Sequence, residues 1–146
     1  MSEPASDKGL VELRLCIDVP DLQAGLDFYS RALGLRVGRR KGDVWAEVLG
    51  ASVPLDVLAN PPGTPATSTA GALRDYRRHW TPVHFDVVVQ GLDAALSRAL
   101  AAGATLDREV QVRPWGRMAN LADPFGNGFC LLAFEGKGYE AALAPT

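Results

Sequence analysis

Long hydrophobic runs are missing from this chain of 146 residues, and so is any large excess of charge. No stretch reaches the length of a membrane span, and the opening Met-Ser-Glu-Pro-Ala-Ser-Asp-Lys-Gly lacks the apolar centre of a secretory leader. A soluble, cytoplasmic protein is therefore expected, with no membrane partner. Fifteen Lys and Arg against seventeen Asp and Glu leave a net charge of −2, which provides no field to draw nucleic acid. The basic clusters at 36–41 and 74–78 are short and read as solvated turns. Histidine is scarce: His79 and His84 are the whole supply, so a site built from three or more histidines is excluded by counting. Cys16 and Cys130 sit in apolar strand-like runs, which suits reduced thiols. No Gly-rich phosphate loop follows a strand and opens a helix, and no Ser-His-Asp or Cys-His arrangement has local support.

What is present is a repeat. Val83, Phe85, Val87 and Val89 alternate with His84, Asp86 and Val88, and after a break at Gln90-Gly91 a helical pattern begins. Seventy positions earlier Leu13, Leu15, Ile17 and Val19 alternate with Arg14, Cys16 and Asp18, broken at Pro20-Asp21. Leu22, Ala24 and Leu26 then match Leu92, Ala94 and Leu96. Arg14 is the positional twin of His84.

Taken in order, residues 1–9 read as a polar lead-in. A strand over 10–19 precedes a helix over 22–33 that carries Leu22, Leu26, Tyr29 and Leu33 on one face, with Gly34 at its C-cap. Strands are expected over 35–39, 44–49 and 53–58. The second half repeats the order: strand 83–89, helix 93–102, Gly103, then strands at 104–106, 110–113, 116–122 and 129–134, with a hairpin turn at Asp123–Gly128. The tail from Glu135 reads as polar and small.

The fold class is thus α+β, two βαβββ modules at 10–60 and 80–135, helices on one face of a mixed or antiparallel sheet. The 61–79 connection is rich in Pro, Gly, Ser and Thr. It reads as a lid, a swap segment or a mobile linker, with a helical turn or two over 72–78.

Alternation assigns Leu13, Leu15, Ile17, Val83, Phe85, Val87, Phe129 and Leu131 to the helix-packed face. Glu12, Arg14, Cys16, Asp56, His84, Asp86, Cys130 and Leu132 fall on the other face. Exposed apolar groups beside that polar set point to a pocket or interface. Trp45 and Trp115 could stack on a planar ligand or serve as packing, and Arg117 could contact an anionic group or pair at the surface. Arg14 and Asp56 could pair across the pocket floor, or Arg14 could grip an anion.

Two further stretches are telling. Val19-Pro20-Asp21-Leu22, Leu26-Asp27-Phe28-Tyr29 and Leu33-Gly34-Leu35 resemble the first module of the vicinal oxygen chelate superfamily. Pro114-Trp115-Gly116-Arg117 with Asp123-Pro124-Phe125-Gly126-Asn127 is similar to that superfamily's closing hairpin. The superfamily includes glyoxalase I, extradiol dioxygenases, epimerases, fosfomycin-modifying enzymes and bleomycin-binding resistance proteins. The resemblance implies sheets curled into a cup, often completed by a homodimer, and in the metal enzymes four ligands, two per module. Those positions here are Arg14, Asp56, His84 and Cys130. Arg14 has no lone pair to offer. Held about 5 Å from a divalent ion it opposes binding by roughly 6 kcal/mol at an effective dielectric near 20. The expectation is a cup that binds a small organic molecule without the usual metal, as the bleomycin-binding antibiotic-resistance proteins do. Arg14, Asp56, His84, Asp86, Cys130, Trp45, Trp115 and Arg117 would line it. The alternative is a lyase, isomerase or dioxygenase dependent on Zn, Ni, Mn or Fe, with His84, Asp56 and Cys130 as ligands.

Overall fold

A computed structural model describes residues 11–143. The lead-in read over residues 1–9 lies outside them, as do the last three residues of the tail.

The first module runs β1 (Leu15–Val19), α1 (Leu22–Leu33), β2 (Arg36–Lys41), β3 (Trp45–Leu49) and β4 (Leu55–Ala59). The second runs β5 (Phe85–Val88), α2 (Leu92–Ala102), β6 (Thr105–Leu106), β7 (Gln111–Arg113), β8 (Gly116–Ala122) and β9 (Gly128–Phe134). Sheet order is β1-β4-β3-β2 in one module and β5-β9-β8-β6 in the other, with β7 also paired to β8. In both, the first strand lies parallel to the last and the remaining pairs are antiparallel. The duplication read from the repeat is thus present as two mixed sheets of like topology.

α1 begins where the Asp21 carboxylate accepts from the Ala24 amide at 2.9 Å, and ends at Gly34, whose φ of 67° is left-handed. Its buried face carries Leu22, Gly25, Leu26, Phe28, Tyr29 and Ala32. Gly25 lets the helix lie close on the sheet: a Cβ there would come within 2.9 Å of Val57 and 3.0 Å of Val19. α2 buries Leu92, Ala95 and Ala99. The two helices pack against each other between the sheets, and Phe28 meets Phe125 and Phe129 edge-on. The core sits there, and the outer sheet faces are left for other work.

Across the modules, the Tyr29 hydroxyl donates to Asp123. Asp123 also accepts from the Phe125 amide (2.8 Å), the Asn127 amide (2.9 Å) and the Asn127 side chain (2.9 Å). The Asp-Pro-Phe-Gly-Asn turn is therefore organised around one buried carboxylate that also fastens α1.

Several expectations are corrected. Leu13 and Val83 precede their strands and are exposed, so they do not join the helix-packed face. Residues 72–78 form no helix; a single bridge, Pro65 to Leu73, is their regular feature. The tail, read only as polar and small, contains a short helix, α3 (Tyr139–Leu143). Among the described residues no helix is long and apolar enough to cross a membrane.

Candidate functional site

The outer face of module one is closed by charge. Parallel pairing of β1 with β4 sets Cys16 beside Asp56, and antiparallel pairing of β4 with β3 sets Asp56 beside Glu47. Arg14, just before β1, holds Asp56 with two hydrogen bonds, Nε at 2.7 Å and Nη2 at 2.8 Å. Nη2 also reaches Glu47 at 3.0 Å. Arg39 grips the same Glu47 from β2 at 2.8 and 2.9 Å, with its amide adding a third bond at 3.0 Å. The Trp45 indole donates to Asp56 at 2.9 Å. Both carboxylates are nearly inaccessible to solvent, and forked guanidinium pairing of this kind is the strong form of the ion pair.

The pKa directions follow from these contacts. Arg39, then Arg14, hold the Glu47 carboxyl down at about 2. Arg14, then Trp45, hold Asp56 below the usual carboxylate range. The same contacts push Arg14 upward. Gly38 is part of the design, because a Cβ there would stand 2.8 Å from the Glu47 side chain.

Module two offers the complementary set. His84, just before β5, lies beside Asp86, its Nε2 3.6 Å from the carboxylate, which is ion-pair range and longer than a hydrogen bond. Asp86 is paired in register with Cys130 on β9. Ligand atoms of His84, Asp86 and Cys130 all lie within 4.8 Å of one another. Asn120, opposite Cys130 on β8, donates from its side-chain amide to the thiol at 3.1 Å. Its carbonyl accepts from Gln111 at 2.6 Å and Arg108 at 2.8 Å. Burial pushes the Cys130 thiol up, Asn120 pulls it down, and the charge of Asp86 raises it again.

The two modules are thus chemical mirror images: Cys16 on the first strand faces Asp56 on the last, and Asp86 on the first faces Cys130 on the last.

The C-terminal part of the 61–79 connection is fastened to both modules. Arg74 pairs with Asp18 at 2.7 Å, and the Tyr76 hydroxyl donates to the Asn60 carbonyl at 2.6 Å. The His79 amide donates to the Gly126 carbonyl at 3.0 Å, Arg78 pairs with Asp107, and the Trp80 indole donates to Asp107 at 3.0 Å. Trp80 lies on Gly128, where a Cβ would be 2.7 Å from the ring, and meets His84 edge-on at 5.4 Å. A recess of about 390 Å³ opens between Trp80, His84, Asp107, Arg108 and Asn120. Arg14 instead borders a separate recess of about 420 Å³ with Glu12, Val53 and Pro54.

Among the residues expected to line one pocket, Arg14, Asp56 and Trp45 come together, and His84, Asp86 and Cys130 come together. Arg117 does not join either group. It shares the face of Ala133 and pairs with Asp93 of α2 and with Glu135, on the helix side. Trp115 packs against Phe134 and Tyr139, away from both polar groups. Of the apolar residues assigned to the pocket face, Cys130 and Leu132 are buried and Phe134 is exposed. Of the alternative ligands His84, Asp56 and Cys130, the structure brings His84 and Cys130 together with Asp86, whereas both oxygens of Asp56 accept from Arg14. A metal shared by both modules does not fit the residues present. Glu47 and Asn120 were missed; their only signal was a polar residue between apolar neighbours, Ala46 and Val48 in one case, Ala119 and Leu121 in the other.

Comparison with known proteins agrees with the topology. The model of the glyoxalase-like domain matches residues 14–132, most of the chain. The chain belongs to the glyoxalase-like family. It is similar to the anthracycline biosynthesis protein DnrV of Streptomyces peucetius, 31% identical over 121 residues covering 82% of this chain and 39% of that protein. It therefore spans about two fifths of the anthracycline proteins it matches. It is also similar to the uncharacterized protein Mb0911c of Mycobacterium bovis, 30% identical over 134 residues, 88% of this chain and 82% of that one. Among solved structures, the glyoxalase-related enzyme from Fulvimarina pelagi superimposes with a TM-score of 0.67 at 18% identity, covering 85% and 88% of the two chains. TioX from Micromonospora sp. ML1 does so with 0.66 at 19%, covering 86% and 99%. These solved structures share its fold, and the glyoxalase-like family match places the chain in the vicinal oxygen chelate superfamily.

Proposed function

We propose that this glyoxalase-like protein holds a small organic molecule against its sheet faces without a metal bridging the two modules. The observation that carries this is the closed Arg39–Glu47–Arg14–Asp56 cluster. It occupies the place where module one would supply its ligands, and it is electrically balanced without an ion. A binder requires no catalytic group, so the loss of those donors costs it nothing. With Asp56 paired to Arg14, Glu12 and Asp86 are the acidic groups of that face left to attract a ligand with positive charge. The similarity to DnrV and to DauV of Streptomyces sp. strain C5, both anthracycline biosynthesis proteins, directs the first choice of ligand toward an anthracycline, a planar molecule.

We further propose that two copies assemble, because Arg14 borders a recess lined by residues of module one alone, which no residue of module two closes within one chain. A second chain could set the Arg14 face of one copy opposite the His84 face of the other.

The test is a fluorescence titration of chelator-treated protein with an anthracycline, alongside chromatography under the same conditions. Micromolar binding unchanged by chelation is expected. Absence of binding in the treated protein, with binding or turnover restored by Ni²⁺, Mn²⁺ or Fe²⁺, would overturn the reading in favour of a metal-dependent lyase, isomerase or dioxygenase.

A further inference from the structure

The duplication is filled at one end and open at the other. In each module the turn before the last strand borders a recess shared with the other module's first strand. In module two that turn is Asp123–Asn127. It drives Phe125 into the core, 7% exposed and edge-on to Phe28 of α1 at 6.4 Å. The matching turn of module one, residues 50–54, reads Gly-Ala-Ser-Val-Pro. It has no aromatic ring and no carboxylate to organise one, and Ala51 and Ser52 are exposed. A recess of about 500 Å³ stands beside it, walled by Leu15, Leu33, Leu35 and Leu55 of module one and by Phe85 and Val87 of module two. From this contrast we propose that the recess binds a compact, uncharged molecule built on an aromatic or alicyclic ring, which takes there the place that Phe125 takes in module two.

Three observations support the assignment. The first is the chemistry of the walls. Leu15, Leu33, Leu35, Phe85 and Val87 pack on the core but stay only partly buried, so a ligand there removes apolar area from water. Ser52 and Asp86 are the lining residues with polar side chains, and the Asp86 carboxylate is turned to His84, on the face of β5 opposite Val87. Water in such a space finds few hydrogen-bond partners. The second is the counterpart. The registers of the two modules match, Leu15 beside Leu55 and Phe85 beside Phe129. Residues 15–18 of β1 line the recess next to the module-two turn, as residues 85–88 of β5 line this one. That counterpart is smaller, about 340 Å³, and polar: it takes in Asp18 and Asn127, with His79 and Thr81 from the connection and its end. The larger recess has no residue of the connection in its wall. The third is a ring surface already in place, since Phe85 stacks on Phe129 at 5.7 Å with 9° between the planes. A ring bound against Phe85 extends that array.

Size and charge select the occupant. Clefts that hold small molecules run to roughly 300–1,000 Å³, and this one falls within that range. A protein partner needs a face of about 800 Å², whereas the rim here is Gly50, Ala51 and Ser52, which offer little to grip. No Lys, Arg or His lines the recess, so an acid gains nothing by entering it. The walls belong to the helix-packed side of the strands. The ligand proposed above lies on the outer sheet faces, so this is a second site that fills on its own.

N-phenylnaphthylamine is the probe, a neutral aromatic whose fluorescence rises in apolar surroundings. Saturable, micromolar binding of about one probe per chain is expected. Ala51→Phe returns a ring to the turn and Val53→Phe thickens the wall. Each should weaken probe binding about tenfold or more by filling the space, with native circular dichroism checked for both. Chelation and a saturating anthracycline should leave the probe in place, and Ala51→Phe should leave the anthracycline titration unchanged. Binding that does not saturate, affinity unchanged in both variants, or displacement by the anthracycline would overturn the assignment. So would a loss of self-association in Ala51→Phe with probe affinity unchanged, which would mean that a second copy covers the recess. The two titrations read different sites, so either proposal can fail while the other stands.

Discussion

At the scale of single residues, the protein separates groups that work by pairing from groups left accessible. Cys16 is exposed and Cys130 is buried. A thiol reagent should therefore label one cysteine at once and the second only on unfolding; two fast thiols in the native protein would contradict the burial of Cys130. Glu47 sets a pH dependence. Its folded pKa of about 2 lies below the ordinary 4.5, chiefly through the hydrogen bonds from Arg39. A depressed carboxyl stabilises the fold above its unfolded pKa and loses that contribution as pH falls through its folded one. Stability should thus decline between about pH 4.5 and 2, Asp56 acting in the same direction, and Glu47→Gln should flatten the decline in urea unfolding curves. Asp123 is the structural counterpart. Asp123→Ala strands the Tyr29 hydroxyl and two amides, a loss of about 2–4 kcal/mol from unsatisfied buried groups, whereas Tyr29→Phe should cost about 1 kcal/mol. Chemical denaturation checks both.

At the scale of elements, local signals and distant ones part company. Helix α1 was legible from end to end, because Asp21, the Leu22–Leu26–Tyr29 face and Gly34 act through neighbours three or four residues away. The two first strands and their alternation were legible too, and so was the pairing of Arg14 with Asp56 as one of the alternatives. Arg117 was not. Its face depends on register with Ala133, and a hairpin whose turn contains Pro124 and Gly126 does not announce register in its sequence. The connection at 61–79 was not legible either. Its composition suits a mobile linker, but its anchors are Asp18, Asp107, Gly126 and Gly128, all remote in the chain. Gly126, at φ 88°, would place a Cβ 2.4 Å from the Arg77 carbonyl. Gly126→Ala should then lift the 76–80 segment off the hairpin and raise its cleavage by proteases well before global unfolding; an unchanged cleavage pattern would mean that the clamp does not depend on this close approach.

At the scale of the whole molecule, the modules share one core. α1 packs on α2, Phe28 reaches Phe129, and Tyr29 reaches Asp123. Unfolding in urea should accordingly be a single transition followed alike by tryptophan fluorescence and far-ultraviolet circular dichroism. Two separated transitions would show that the modules are independent. The outermost strand of the first sheet, β2, carries Arg36, Arg39, Arg40 and Lys41 and breaks register between Val37 and Arg40. A bare strand at a sheet margin is a template for sticky growth, and positive charge with a kink is a standard guard against it. Any self-assembly is then steered away from the margin of the sheet and toward its faces. Replacing Arg36 and Lys41 with valine should turn a well-behaved solution into one that scatters light on standing.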